Sequence, residues 1–235
     1  MGWFSSACSA IGSAISTAVN FVGNNLGKIG GVIGNSVAVI LSPFKTLEIA
    51  IRAIEAIAIL VTTIAEILGI GQKDEKMDEL GAKAIQEDTL PREEFETHQE
   101  YIKYLREEIE LDREKFNEMS PEERLACTAI GTTILAKSIE EKTGVEIPAE
   151  FLLTAEKINL SAEEIKVCID KFKENGLFTM GEMSDYLQGK DLKGKEPAIS
   201  SVIIDAMQAL NPQMTHKDVQ NKMINMIQSA HEEKL

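Results

Sequence analysis

The sequence predicts an all-α protein: an apolar, Gly-rich N-terminal helical segment followed by an acidic multi-helix bundle. Three observations carry that expectation. Aromatic residues are 5% of the 235-residue chain, while Ile, Leu, Ala, Glu and Lys dominate, a mix that favours helices over strands. Apolar residues recur at helical spacing from end to end, and helix caps and breakers punctuate the second half. Charge is also segregated. Up to Leu47 the only charged residues are Lys28 and Lys45, so against a whole-chain net of −14 the remainder carries −16. A body so acidic repels phosphate backbones, which argues against nucleic-acid binding. Composition divides the chain into residues 1–71, apolar; 72–120, a charged linker and long helix; and 121–235, a soluble helical domain.

Residues 3–22 read as a helix. Ser5, Ser9, Ser13, Ser16 and Asn20 fall on one stripe, with Phe4, Cys8, Ile11, Ile15, Val19 and Val22 opposite. Gly23-Asn24-Asn25 is a turn signal, and a second apolar stretch over 26–41 is closed by Pro43. Gly23, Gly27 and Gly31 are spaced by four, as are Gly30 and Gly34. Each glycine costs an exposed helix about 1 kcal/mol against alanine. The run therefore reads as a close helix–helix contact of the kind that glycine faces make in membranes, or as a loop. Trp3, Phe4, Ile11 and Ile15 complete the candidate membrane or helix-packing set.

Residues 46–70 predict a long helix whose polar stripe, Glu48, Arg52, Glu55, Thr62 and Glu66, is narrow and whose apolar face covers most of the circumference. Its 25 residues would extend ~37 Å. Its four charges suit a stripe facing a partner, an interface or an aqueous lumen, and equally the central helix of a soluble bundle.

Residues 72–89 read as a charged linker or weak helix, and Pro91 as the opening of a helix to about Asn117. Ser120-Pro121-Glu122-Glu123 is a capping box with proline at the first helical position. Its helix stops at Thr143-Gly144, and Pro148 opens the next, to about Lys157. Ser161 with Glu164, Thr179 with Glu182 and Thr215 with Asp218 read as further capping boxes, and Pro197 begins a helix broken at Asn211-Pro212. Short amphipathic helices in series are unstable singly and must pack as one domain.

Chemistry is sparse. His98, His216 and His231 are isolated and read as exposed; no residues stand at metal-ligand spacing, and no cofactor is expected. The glycines at 23–34 follow no strand and lack the Lys-Ser/Thr ending of a phosphate loop. Ile169–Leu187 has a helix–glycine loop–helix layout, but Lys171 and Lys173 stand where a calcium loop needs acids. No catalytic residue is expected, and the chain does not read as an enzyme. Cys8, Cys127 and Cys168 show no paired spacing; Cys127 and Cys168 are expected as buried thiols, which indicates a reducing compartment. No basic segment precedes the first apolar run, so synthesis in a reducing cytoplasm without a signal peptide is expected, with a membrane or a large assembly as destination.

The stretch Trp3–Leu41 with its Gly23, Gly27, Gly31 series, together with the helix Glu48–Ile70, resembles small bacterial membrane-targeting effectors that form pores in competing cells. The likeness covers less than a third of the chain and is one of architecture. It implies a protein held soluble until delivery that inserts its N-terminal helices into a target bilayer, with a cognate immunity protein as partner; a chaperone and a homo-oligomer are the further partner expectations. The alternative is a structural component of a virion or injection machine, whose residues 1–71 are covered by a partner protein.

Overall fold

The computed structural model describes residues 13–87 and 89–232, apart from the side chain of His216. Trp3, Phe4 and Ile11, and with them the first turns of the expected 3–22 helix, lie outside the described residues. Among the described residues the fold is all-helical, with thirteen α-helices, one 3-10 turn and no strand.

The chain forms two compact units that divide at Glu141/Lys142. The compositional boundaries at 71 and 120 both fall inside the first unit. Its helices are α1 Ser13–Asn24, α2 Leu26–Ile29, α3 Gly31–Leu41, α4 Leu47–Ile67, α5 Met77–Gln86, α6 His98–Glu107 and α7 Arg113–Glu118. Most of α8, Pro121–Thr143, also belongs to it. α1 lies against α3 and α4, and α2 against α5. Ile15, Val22, Ile33, Leu41, Ile57 and Ile64 are completely buried, so α1, α3 and α4 supply much of this core.

The expected 26–41 stretch is two helices. Gly30 separates them at φ 84°, a conformation closed to other residues without strain. Residues 72–89 are more than a linker: α5 buries Met77, Leu80, Ala82, Ala84 and Ile85. The helix expected from Pro91 to Asn117 is a 3-10 turn, Arg92–Glu94, followed by α6 and α7. Thr97 and Glu100 form a capping box that starts α6 afresh at His98. Asp112 caps α7 through its side chain alone, accepting from the Lys115 amide at 3.1 Å.

The close backbone contact of this unit lies between α5 and α8. A Cβ on Gly81 would stand 1.9 Å from the Cys127 carbonyl oxygen, and one on Gly131 would stand 2.1 Å from that of Met77. Two helices therefore cross backbone to backbone, each offering a glycine one turn from the carbonyl that the other helix's glycine accommodates. A bidentate pair ties α6 to the loop after α4: Arg106 Nε and Nη2 donate to Glu75 at 2.7 and 2.6 Å, and Arg106 Nη1 donates to the Ile70 carbonyl at 3.1 Å.

The second unit holds α9 Ala149–Lys157, α10 Ala162–Glu174, α11 Gly181–Leu187, α12 Glu196–Leu210 and α13 His216–His231. α10 packs along α12, α11 lies between α9 and α12, and α13 closes on α9, α11 and α12. The capping boxes at Ser161 and Thr215 form. The one expected at Thr179 does not. Met180 takes the cap position, Thr179 Oγ1 accepts from the Gly181 amide at 3.1 Å, and Glu182 pairs with Lys195. The loops before α9 and α11 join through an isolated bridge, with the Glu146 amide donating to Phe178 and the Met180 amide to Glu146.

Candidate functional site

The most distinctive surface is the outer face of α4. Thr46 caps the helix, its hydroxyl accepting from the Ile49 amide, and Gly69 ends it at φ 71°. Between those ends Ala50, Ile54, Ile57, Val61 and Ile64 turn inward at helical spacing and are buried. The opposite sector is exposed and carries more than polar groups. Ile59 is 68% exposed, Ile67 44% and Ile49 38%, and Ala56 is exposed beside them. The three isoleucines stand about 15 and 12 Å apart along the helix, with Arg52, Glu55, Ala56 and Thr63 between them, so the exposed sector is a mixed face of apolar, small and charged groups.

Glu48, Arg52, Glu55, Thr62 and Glu66 are the stripe that the sequence marks as polar. Glu48 and Arg52 pair with each other in the open, and Glu55 and Glu66 are exposed. Thr62 Oγ1 turns back to the Ala58 and Ile59 carbonyls at 2.9 Å, so its hydroxyl serves its own helix. At ~100° per residue Glu48, Glu55 and Glu66 form one edge of the exposed sector. Ile49 and Ile67 form the other, with Arg52, Ile59 and Thr63 between. Among the described residues the stripe faces outward and encloses no channel. Two clefts of ≈ 360 and ≈ 330 Å³ run beside it, both lined by Glu55, Asp78 and Thr128.

The N-terminal glycines are placed differently from that stripe. A Cβ on Gly27 or Gly31 would meet nothing within 4 Å, and one on Gly34 would meet only the Leu26 and Ile29 side chains. Since Gly30 breaks the helix, the glycines do not share one continuous helical face. Ile15 is fully buried under α1.

A larger groove of ≈ 690 Å³ is lined by Lys28, Gln86, Glu108, Asp112 and Glu123, among others. Three of its polar groups are engaged in the fold, while Gln86 Nε2 is buried without a hydrogen-bond partner. Lys28 donates to the Ile85 carbonyl at 2.7 Å, Asp112 caps α7, and Glu123 accepts from the Ser120 amide at 2.8 Å. Among the described residues no three His, Cys, Asp or Glu side chains are grouped to hold a metal ion. Cys127 and Cys168 are buried free thiols, each pushed up to about 12 by burial. They are protonated at neutral pH and unreactive as nucleophiles.

One titratable cluster is absent from the sequence reading. His98 is not a surface histidine: its side chain is 16% exposed, with Nδ1 at 2.7 Å from Glu141 and 2.9 Å from Arg92 Nη2. Glu141 also accepts from the His98 and Gln99 amides at 2.6 and 3.0 Å, so it holds the N-terminus of α6. Burial lowers the His98 pKa below its ordinary value; Glu141 opposes the shift and Arg92 reinforces it. Burial raises Glu141, but the hydrogen bonds from His98 and Gln99 outweigh it and hold the carboxyl low. Below pH 6.5 the unfolded chain therefore takes up a proton at His98 before the folded one, and stability falls as pH falls. Glu141 adds a further loss beneath the ordinary glutamate range. The urea midpoint of the wild type should drop between about pH 7 and about pH 5.5, and His98→Gln should flatten that drop. An unchanged slope in the variant would remove His98 as the cause. The Thr97–Glu100 box marks the start of α6 in the sequence; nothing local marks Glu141, 43 residues away.

A scan of family models, and searches of curated proteins and of solved structures, return no match to this chain.

Proposed function

We propose that this protein works by docking, as an assembly component whose N-terminal unit is covered by another protein surface through the outer face of α4. The exposed row Ile49, Ile59 and Ile67 carries this reading, because it sits on a helix that is capped at both ends and anchored by its buried face. Such a face gains about 25 cal/mol for each Å² of apolar area removed from water. The carboxylates along one edge set the orientation of what covers it.

A membrane-inserting, pore-forming effector is the second reading, with the apolar Gly-rich segment as its membrane-directed part and Glu48, Arg52, Glu55, Thr62 and Glu66 as its polar lining. One observation favours it: from Ser13 to Phe44 the sole charged residue is Lys28, so this stretch meets lipid at the lowest charge penalty in the chain. It stands second because no described helix is long and apolar enough to cross a membrane. Insertion would therefore require α1–α3 to unpack and rejoin across Gly30.

A photo-reactive residue at position 59, introduced in the cells that make the protein, separates the two. Docking gives a protein adduct of one defined mass, and the same probe at Phe178, which is 61% exposed in the second unit, gives none. Lipid adducts at 59 would transfer the function to the membrane reading. No adduct at 59 would sink the docking reading.

A further inference from the structure

We infer that the 3-10 turn Arg92–Glu94 is a latch over the break between α2 and α3, closed by the bond from Arg92 to neutral His98 and released when acid protonates that ring. The latch does not depend on what covers α4. The turn lies directly over Gly30: a Cβ there would stand 2.9 Å from Glu93 Oε1 and 3.3 Å from Arg92 Cγ. Gly30 is buried and joins two helices of the stretch Ser13–Phe44, whose sole charged residue is Lys28. The turn therefore shields backbone at a point where this apolar stretch is not continuous helix.

Most of the hydrogen bonds of this turn are its own. The Glu94 amide donates to the Pro91 carbonyl and the Phe95 amide to that of Arg92. Arg92 Nη1 donates to the Phe95 carbonyl at 2.7 Å, again within the segment, and Arg92 Nε is buried with no acceptor. The guanidinium also lies 5.8 Å from the centre of the Tyr101 ring. Among the described residues the one hydrogen bond from the Arg92 side chain to another element is Nη2 to His98 Nδ1, at 2.9 Å. Glu93 and Glu94 are exposed.

That bond exists only while Nδ1 keeps its lone pair. Two partners compete for the atom, Arg92 as a donor at 2.9 Å and Glu141 as an acceptor at 2.7 Å, and it can serve one of them at a time. Glu141 does not need the ring, because its two oxygens already accept from the His98 and Gln99 amides. Arg92 Nη2 has no other acceptor among the described residues. The neutral ring therefore carries its proton on Nε2 and takes Arg92 at Nδ1. A proton added at Nδ1 turns toward Glu141 and leaves Arg92 Nη2 facing a donor on a cation. The charged groups around the ring are Arg92 from the turn, and Glu141 and Lys137 from α8; Lys137 pairs with Glu140 at 2.8 Å. Of the two cations, Arg92 is the one without a carboxylate partner, so Arg92 gives way. Burial, with Arg92 beside it and Glu141 opposing, keeps the His98 pKa low while the turn is closed. Lifting the turn lets water in and takes Arg92 away, so the open form binds the proton more readily. Acid accordingly favours opening, in a transition below pH 6.5.

Nuclear magnetic resonance of the full chain, titrated from about pH 7.5 to about pH 5, reads the contact directly. The Overhauser effect between Gly30 Hα and Arg92 Hγ should be present at the start. It should fall at least ~2-fold as the His98 ring titrates, the loss expected when the open turn reaches half the population. The Gly131 and Gly176 amide signals, one in each unit, should hold their positions. His98→Gln offers Arg92 an acceptor that does not titrate, so the contact should persist at both ends of the range. His98→Lys places a fixed cation there, and the contact should be missing already at neutral pH. A wild-type contact that survives protonation of His98 would overturn the latch, as would an equal loss in His98→Gln or a contact retained in His98→Lys. Collapse of the whole spectrum before the contact fades would mean that acid unfolds the unit rather than opening the turn, and would overturn it too. The photo-adduct at position 59 is read at neutral pH with the turn closed, so the latch and the docking reading fail separately.

Discussion

Replacing Gly131 by alanine is expected to destabilise the N-terminal unit by about 3 kcal/mol, although alanine is the better helix former by about 1 kcal/mol. The new Cβ would lie 2.1 Å from the Met77 carbonyl oxygen and 3.0 Å from the Gly81 amide nitrogen. Those are backbone atoms, so no rotamer change relieves the overlap and α5 must move away from α8. Movement would open the packing around this crossing, where Leu80 and Ala84 are buried. Gly81→Ala meets the Cys127 carbonyl at 1.9 Å and should cost a similar amount. The double variant should cost less than the sum, because one displacement accommodates both methyl groups. Gly31→Ala is the control with the opposite sign. It adds the same methyl group at a helical glycine with nothing within 4 Å, and should be neutral or stabilising by about 0.5 kcal/mol. Denaturant midpoints measure the totals, and hydrogen exchange localises the loss to peptides of α5 and α8. A Gly131→Ala protein as stable as wild type would mean that the crossing is looser than described.

That contrast shows where spacing in a sequence stops being informative. The run Gly23, Gly27, Gly31 has the regular interval that a close helix contact needs, yet Gly27 and Gly31 have empty space beside them. Gly81 and Gly131 make the contact, and each is solitary in its own segment. What distinguishes them is the partner helix, about 50 positions away in the chain, which no local pattern records. Signals that act within one turn were legible. Ser120 with Glu123, Ser161 with Glu164 and Thr215 with Asp218 cap the helices they announce, and Asn211-Pro212 ends α12. Thr179 failed because Met180 took the cap and Lys195 drew Glu182 away, a contact thirteen residues off.

The same limit explains α5 and α4. Asp78, Glu79 and Lys83 make residues 72–89 look solvated, but Met77, Leu80, Ala84 and Ile85 lie on one face, and burial of that face overrides the charge density. In α4 the polar stripe was visible because it contrasts with its surroundings. The exposed isoleucines were not: in a helix apolar around most of its circumference, residues awaiting a partner look the same as those already covered. Ile57 and Ile59 differ by two positions and by 0% against 68% exposure. That difference depends on which helices pack against α4, α1 among them, and on it rests the choice of Ile59 as the centre of a docking face.

Arg106→Leu should be about as damaging as the glycine substitution, at about 3 kcal/mol, through charge rather than overlap. The Arg106 and Glu75 side chains are 14% and 9% exposed, and the guanidinium makes three of its hydrogen bonds here, two to Glu75 and one to the Ile70 carbonyl. Leucine has a comparable volume of hydrocarbon but leaves Glu75 as a buried carboxylate without a counter-charge, and the Ile70 carbonyl without its donor. Glu75→Leu alone strands the guanidinium instead. The pair Glu75→Leu/Arg106→Leu removes both charges together and should recover most of the loss, since a buried ion pair and an apolar pair of similar volume are close in energy. A double-mutant cycle at neutral pH therefore expects strong coupling between two positions 31 residues apart. Because Glu75 lines the cleft beside Ile59 and Thr62, freeing it should also speed hydrogen exchange in the last turns of α4, while the Thr46-capped start stays protected. Single substitutions costing under ~1 kcal/mol would place this contact among ordinary surface ion pairs. The end of the docking helix would then be held by the Gly69 turn and by core packing alone.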